Sequence, residues 1–381
     1  MQPTPFKIAF PEEIFRDLKE RLARTRWPDQ APGEEWQYGA SLAYLKDLTR
    51  YWRDGFDWRA QETRLNRFKQ FRVPLAGIDL HFIHEQGVGP KPMPLLLSHG
   101  WPGSILEFHK IIPMLTDPAA HGGDPDDAFT VVAPSLPGYT LSFKPNQPRF
   151  GAIEIAAVFA SLMKEVLGYH RYAAQGGDWG SFITSRLAVE HPEQLHGIHI
   201  NLLGVRRDLT LADTGTEEEK QFITELQRFM KEETGYQAIM GTKPQTLAFA
   251  LTDSPVGLAS WITEKFRSWS DCDGAIENVI TRDELLTNIT LYWATGAINS
   301  ASWPYYARAH GPWPIPNGMR VEVPTAYAAF PKEILRPPRS IAERFYNIQH
   351  WTIMPKGGHF AALEQPQLLA EDIRAFFRKF R

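Results

Sequence analysis

The chain has 381 residues, is 43% hydrophobic and 22% charged, and carries a formal net charge of -3. That length suits one large α/β domain with an insertion or two domains, and the charge, without a basic block or stripe, argues against nucleic acid as a partner. The single cysteine, Cys272, excludes an intramolecular disulfide and a cysteine-based zinc site, and neither a metal nor a cofactor is expected.

The first ten residues contain Pro3 and Pro5 and do not read as a secretory signal, and no apolar run reaches the ~18 residues that span a bilayer. The expectation is a cytoplasmic protein without a membrane anchor. Residues 1–70 read as a helical, aromatic extension. Ile14, Phe15, Leu18 and Leu22 recur at helical spacing after Pro11-Glu12-Glu13, and Leu42, Leu45, Leu48, Tyr51 and Trp52 form a second apolar face. No strand pattern shows there. Such an arm cannot bury its aromatic residues alone, so it is expected to wrap over a larger body.

From Phe71 the pattern turns to strands. Residues 71–73 and 78–83 alternate around Gly77. Residues 94–98 are a short continuous apolar run, as in a strand covered on both faces, and 129–133, 171–175 and 197–200 follow. Helical stretches fall between them at 104–114, 153–167 and 181–189. This alternation predicts a mostly parallel α/β sheet flanked by helices. The strand pattern then lapses, and 217–233, 244–251, 255–269 and 282–293 read as helices of an insertion. Strands resume at 323–328 and 351–353, and a helix at 367–380 closes the chain. The predicted organisation is an N-terminal wrapping extension (1–70), a first half of the core (71–205), a helical lid (206–315) and a second half of the core (316–381).

The strand at 171–175 runs into Gly176-Gly-Asp-Trp-Gly180 and then a helix. Small residue, any residue, nucleophile, any residue, small residue is the spacing of the nucleophile elbow of α/β-hydrolases. A carboxylate, Asp178, holds the central place. It suits attack on an alkyl carbon, giving an ester that must then be hydrolysed. Hydrolysis needs a base, and His359 in Lys356-Gly-Gly-His-Phe-Ala-Ala362 follows the last predicted strand, in the chain order nucleophile, acid, histidine. Glu333 in Phe330-Pro-Lys-Glu333 is the best-placed carboxylate to orient that imidazole, with Glu343 and Glu364 as alternatives. His99-Gly-Trp-Pro-Gly103 ends the first buried strand. The backbone N–H groups of Trp101 and Trp179 there become the candidate oxyanion hole.

Taken together, His99-Gly-Trp-Pro-Gly103, Ser135-Leu-Pro-Gly-Tyr139, Gly176-Gly-Asp-Trp-Gly180, Asp253-Ser-Pro-Val-Gly257, Phe330-Pro-Lys-Glu333 and Gly357-Gly-His-Phe-Ala361 occur in this order over nearly the whole chain. The sequence resembles the microsomal type of epoxide hydrolase, and specifically its soluble microbial members. The resemblance implies an α/β-hydrolase fold with a helical lid, an epoxide as small-molecule substrate, a detoxifying role, and two lid tyrosines that protonate the epoxide oxygen. Tyr236, in Glu233-Thr-Gly-Tyr236 before Thr242-Lys-Pro244, matches the first. Tyr305, in the segment from Ile298 to Tyr306, matches the second by spacing, with Tyr306 as fallback. The family usually has Arg where Trp303 stands. Trp303 and Tyr306 are candidate pocket residues. A phenol suits this work, because with an ordinary pKa near 10 it can protonate an alkoxide without being spent at pH 7.

Two rival readings follow from the same residues. Haloalkane dehalogenation also uses Asp then Trp at the elbow but needs halide donors and no tyrosine pair. A non-catalytic binding protein on this fold would lack the base or the nucleophile. The chain is expected to act as a monomer or homodimer.

Overall fold

A computed structural model describes residues 2–203 and 215–381. The expected boundary between residues 205 and 206 lies outside the described residues. Among the described residues the chain forms a nine-stranded sheet in the order β1-β2-β3-β5-β4-β6-β7-β8-β9. The strands are β1 (Thr4–Phe6), β2 (Gln70–Leu75), β3 (Ile78–Glu85), β4 (Met93–Ser98), β5 (Phe129–Pro134), β6 (Tyr172–Gly176), β7 (Leu195–Ile200), β8 (Val321–Ala329) and β9 (Tyr346–Ile353). The first three pair antiparallel, as does β3 with β5; β5, β4, β6, β7, β8 and β9 pair parallel. β5 and β6 are buried along their whole length, and β4, the run read as continuously apolar, at every position but Pro94, as expected of strands covered on both faces.

The register aligns strand ends. Ser98 pairs with Gly176, Gly176 with Ile200, and Ile200 with Tyr327. The turns that leave β4, β6 and β8 therefore open at one edge of the sheet, where ligands bind in parallel α/β folds.

The amino-terminal arm differs from its reading in one respect. Residues Thr4–Phe6 add a short edge strand to β2 through pairs such as Pro5 with Phe71. Three residues with a central proline give no alternation to read, and an edge strand tolerates that proline. Helices Glu12–Ala23 and Leu42–Asp54 bury Phe15, Leu18, Leu22, Leu45, Leu48 and Trp52. Trp52 Nε1 donates to Thr290 Oγ1 (3.0 Å), which ties the arm to helix Arg282–Thr295. At the same junction the buried Glu284 carboxylate takes Lys110 Nζ at 2.7 Å and His109 Nε2 at 3.1 Å. Burial opposes its charge, but these partners hold its pKa down at about 2.

Between β7 and β8 the described chain is helical: Glu217–Glu232, Gly235–Thr242, Pro244–Asp253, Pro255–Trp269, Arg282–Thr295, Ile298–Ala301 and Trp303–His310. Local signals set the starts. Ser254 Oγ accepts from Gly257 N–H (3.0 Å) with Pro255 in the first turn. Thr281 and Glu284 form a capping box. Elsewhere single helices prove to be broken. The stretch at 104–114 is a 3-10 turn, Ile105–Phe108, followed by helix Ile111–Thr116, and helix Ala152–Ser161 ends in a π-turn at Leu162–Val166. No described helix is long and apolar enough to cross a membrane.

Candidate active site

The turn after β6 places Asp178 at the first position of helix Asp178–Glu190, three residues earlier than the helical pattern suggests. Its φ is +48°, a left-handed conformation uncommon for a residue with a side chain. The turn is tight on both flanks. A Cβ on Gly180 would overlap the Ser98 carbonyl oxygen, and one on Gly100 would overlap the Asp178 carboxylate. Small residues are thus required at the crossing of the β4 and β6 turns, and their absence of side chains lets Asp178 reach the Trp101 backbone.

That approach fixes one oxygen. Trp101 N–H donates to Asp178 Oδ1 at 2.7 Å. The Trp179 N–H, the second donor expected of an oxyanion hole, sits in the first turn of the elbow helix, where N–H groups have no intrahelical acceptor. The other oxygen, Oδ2, lies 3.2 Å from His359 Nε2. The contact is poorly aligned for a hydrogen bond, and among the described residues Nε2 makes none.

His359 leaves the segment after β9. Its backbone N–H donates to Trp269 O (2.9 Å), and its Nδ1 lies 2.6 Å from Glu333 Oε1. Glu333, just after β8, is itself fixed by Ile334 N–H on the same oxygen (2.7 Å). Burial works against a charged imidazole, but the Glu333 carboxylate and then Asp178 outweigh it and hold His359 well above its ordinary range. Of the alternatives to Glu333, Glu343 lies on the surface and pairs with Arg339 (2.7 Å). Glu364 does something else: its carboxylate accepts the backbone N–H groups of Asp271 (2.7 Å), Gly358 (3.0 Å) and Phe360 (2.9 Å), clamping the loop on both sides of His359.

The lid supplies an aromatic wall over Asp178. Tyr236, from helix Gly235–Thr242, stacks on Trp101 with ring centroids 5.2 Å apart. Tyr305, from helix Trp303–His310, meets Trp179 edge-on at 4.8 Å and Tyr236 at 5.6 Å. Burial pushes the Tyr305 phenol well up, Tyr236 and Asp178 add to that, and the facing Trp179 side chain opposes it. The Tyr305 phenol is therefore neutral at pH 7. Trp303 and Tyr306 lie apart from this group. They stack on each other (4.7 Å) and line an outer cleft of about 340 Å³ that reaches the site only at Trp179 and Arg308.

Asp178 and His359 themselves line a smaller enclosed cavity of about 10 Å³, room for a single water. Its wall includes Glu107, a residue no motif had marked. Burial pushes the Glu107 carboxyl up to about 8, Asp178 pushes the same way, and His359 and the Gly100 backbone oppose. Gln237 and Arg308, beside the two phenols, also carried no sequence signal. Among the described residues no cluster of side chains has the make-up of a metal site.

The arrangement joins an anchored carboxylate, an imidazole held by a second carboxylate, and two phenols packed on the tryptophans that flank the first carboxylate. A profile described as epoxide hydrolase N terminus matches residues 3–108, and one described as alpha/beta hydrolase fold matches residues 93–231. The chain is 44% identical over 380 residues to a protein of Stigmatella aurantiaca, covering 99% of this chain and 85% of that one. It is 39% identical to Epoxide hydrolase 1 of Sus scrofa, covering 98% and 88%. The structure of Aspergillus niger epoxide hydrolase superposes with a TM-score of 0.85 at 31% identity, covering 100% of this chain and 97% of that one. The haloalkane and non-catalytic readings give way to these full-length matches: the chain belongs to the epoxide hydrolase family, of the microsomal type that its motifs resemble, and is an epoxide hydrolase with an α/β-hydrolase fold.

Proposed function

We propose that the reaction runs through a covalent ester on Asp178. Oδ1 is held by Trp101 N–H, so Oδ2 attacks an epoxide carbon. The Oδ2–C bond forms as the ring C–O bond breaks, and Tyr236 or Tyr305 gives its proton to the departing oxygen. Esterification removes the Asp178 charge. One of the two carboxylates that keep His359 protonated is thereby lost, and the imidazole falls toward the range in which it acts as a base. Glu333 keeps Nδ1 protonated and leaves Nε2 to take a proton from water.

The water oxygen adds to the Asp178 Cγ, and the negative charge develops on the oxygen already facing Trp101 N–H, joined by Trp179 N–H. The tetrahedral species collapses by breaking the Cγ–Oδ2 bond. The leaving alkoxide recovers the proton from His359, a diol departs, and Asp178 retains one oxygen from water. The tyrosinate regains a proton through solvent before hydrolysis begins, matching the one the imidazolium releases on becoming a base, and the second water proton left on Asp178 returns to His359 to restore the resting pair. The aromatic lining suits an apolar epoxide.

The observation that carries this reading is the His359 imidazole set between Glu333 at 2.6 Å and Asp178 at 3.2 Å. A single turnover in heavy-oxygen water tests it. The label is expected in Asp178 and not in the first-turnover diol; label in that diol would mean direct attack by water and overturn the covalent route.

A further inference from the structure

Tyr236 and the residue that follows it, Gln237, both project into the interface between helices Gly235–Thr242 and Trp303–His310. Gln237 is buried, and its amide is used at both ends. Nε2 donates to the Tyr236 hydroxyl at 2.7 Å, and Oε1 accepts from an Arg308 Nη2 at 3.0 Å. The two bonds are not independent. A guanidinium has only donors, so it must meet the amide oxygen. The amide NH2 is then turned toward the phenol. The Tyr236 oxygen receives that N–H, and the phenol's own proton is the one it has to give.

Arg308 lies one helical turn beyond Tyr305. Its guanidinium sits 5.3 Å from the Trp179 ring centroid, 5.7 Å from that of Tyr305 and 5.8 Å from that of Trp313. Among the described residues no carboxylate forms an ion pair with it. Burial lowers its pKa, opposed by Tyr305, Tyr236 and Asp178; a guanidinium starts so high that it stays charged. A cation is thus kept beside both phenols by aromatic faces and an amide rather than by a counter-charge that would cancel it. Among the described residues, other charged groups near Tyr236 include Lys265, whose Nζ lies 4.7 Å from the ring centroid while paired with Glu264 at 2.6 Å, and Asp178 across the site.

We infer that Arg308 and Gln237 are positioning residues for the acid half of the reaction: Arg308 fixes the Gln237 amide, the amide fixes the direction of the Tyr236 proton, and the guanidinium charge lies where negative charge appears on the phenols during ring opening. The inference rests on the reading that the tyrosines protonate the epoxide oxygen. As the Tyr236 O–H proton passes to that oxygen, the phenolate left behind keeps the Gln237 N–H bond and faces a fixed positive charge. Nothing has to reorganise at that moment. The later hydrolysis of the ester involves no charge on the phenols and should not depend on either residue.

The test measures the two steps separately in single turnovers, following ester formation by acid quench and then ester decay. Gln237→Glu retains the length of the side chain and still accepts from Arg308, but it offers the phenol an acceptor in place of a donor. It should slow ester formation by about 10²-fold, and Gln237→Met by about 10-fold. Arg308→Met should slow ester formation by about 10-fold to 10²-fold, with partial recovery in Arg308→Lys. Loss of the cation should also move the basic limb of kcat/KM to higher pH, because the phenols then ionise less readily. Ester decay should stay within about twofold of the parent in all four. Tyr236→Phe is the control for the underlying reading. If it forms ester as fast as the parent, the acid role of Tyr236 fails and the relay falls with it. If Tyr236→Phe is slow while Gln237→Glu and Arg308→Met match the parent in ester formation and basic limb, the relay alone is wrong. Equal slowing of both steps with an unmoved basic limb would mark the pair as packing residues and also overturn it.

Discussion

The two faces of the site are built by different means. On the sheet side, Asp178, Glu333 and His359 each follow the end of a strand, and each is held by backbone: Trp101 N–H on Asp178, Ile334 N–H on Glu333, and Trp269 O on the His359 N–H. On the lid side, Tyr236 and Tyr305 come from helices and are held by ring contacts with Trp101, Trp179 and each other. Charge sits on the first face, in fixed hydrogen bonds; the second face presents phenols and carries the Arg308 cation behind them. The division matches the proposed chemistry. Bond making to carbon and ester hydrolysis need charged groups at fixed distances, whereas ring opening needs proton donors that remain protonated.

If the faces serve separate steps, damage to each should stall a different one. His359→Gln gives the largest effect. Steady-state diol formation should fall by roughly 10⁴-fold, as for loss of a triad base, while the first epoxide molecule still reacts. The enzyme should then carry the mass of one substrate, visible by mass spectrometry of the intact protein. Diol formation without that adduct would join the two faces again. Tyr305→Phe should instead slow adduct formation by about 10²-fold. Tyr306→Phe should change it less than twofold, since that ring lies on Trp303 and His310 (4.1 Å) rather than on Trp179. The reverse order of the two variants would move the second proton donor to Tyr306.

The same contrast explains what the sequence could show. Elbow and histidine loop are legible because their geometry is local: glycines at fixed offsets and a strand on one side. Glu333 needed only its place after a strand. Tyr305 could be chosen by spacing, but nothing in the sequence separates it from Tyr306, because the distinction lies in which side of helix Trp303–His310 meets Trp179. Gln237 and Arg308 lie 71 residues apart and acquire a joint meaning only when their helices touch. Glu107 reads as an ordinary acidic residue on a short turn until burial beside Asp178 raises its pKa. Edge strand β1 escapes for the opposite reason, since three residues around Pro5 are too few for any period to show.

Electrostatics sharpens the comparison at a smaller scale. The raised pKa of His359 means the folded protein binds its proton more tightly than the unfolded chain does. The resulting stability is fully present below the unfolded value of about 6.5 and is lost as pH rises through the higher folded value. Glu333→Gln removes the carboxylate on Nδ1. The imidazole resonance should titrate at lower pH than in the parent, and the variant should lose more stability at pH 6 than at the alkaline end of the range, measured by denaturant unfolding. An unchanged imidazole titration would show that Asp178 alone holds the proton.

Glu364 gives the smallest effect and the one furthest from the chemistry. Burial pushes its carboxyl up to about 7, although Asp271, Phe360 and Gly358 donate backbone N–H groups that favour the charged form. A raised acid contributes stability that is present below its unfolded value near 4.5 and lost as pH rises through about 7. Glu364→Gln cannot titrate, and its NH2 must face at least one of the N–H donors. It should cost about 1–3 kcal/mol of unfolding free energy, with the larger deficit near pH 5 and the smaller near pH 8. Because the clamp sets the loop on both sides of His359 rather than the imidazole itself, ester decay should slow while ester formation holds near the parent rate. A variant that slowed ester formation most would instead place the clamp's influence on the lid, through Asp271 and the end of helix Pro255–Trp269.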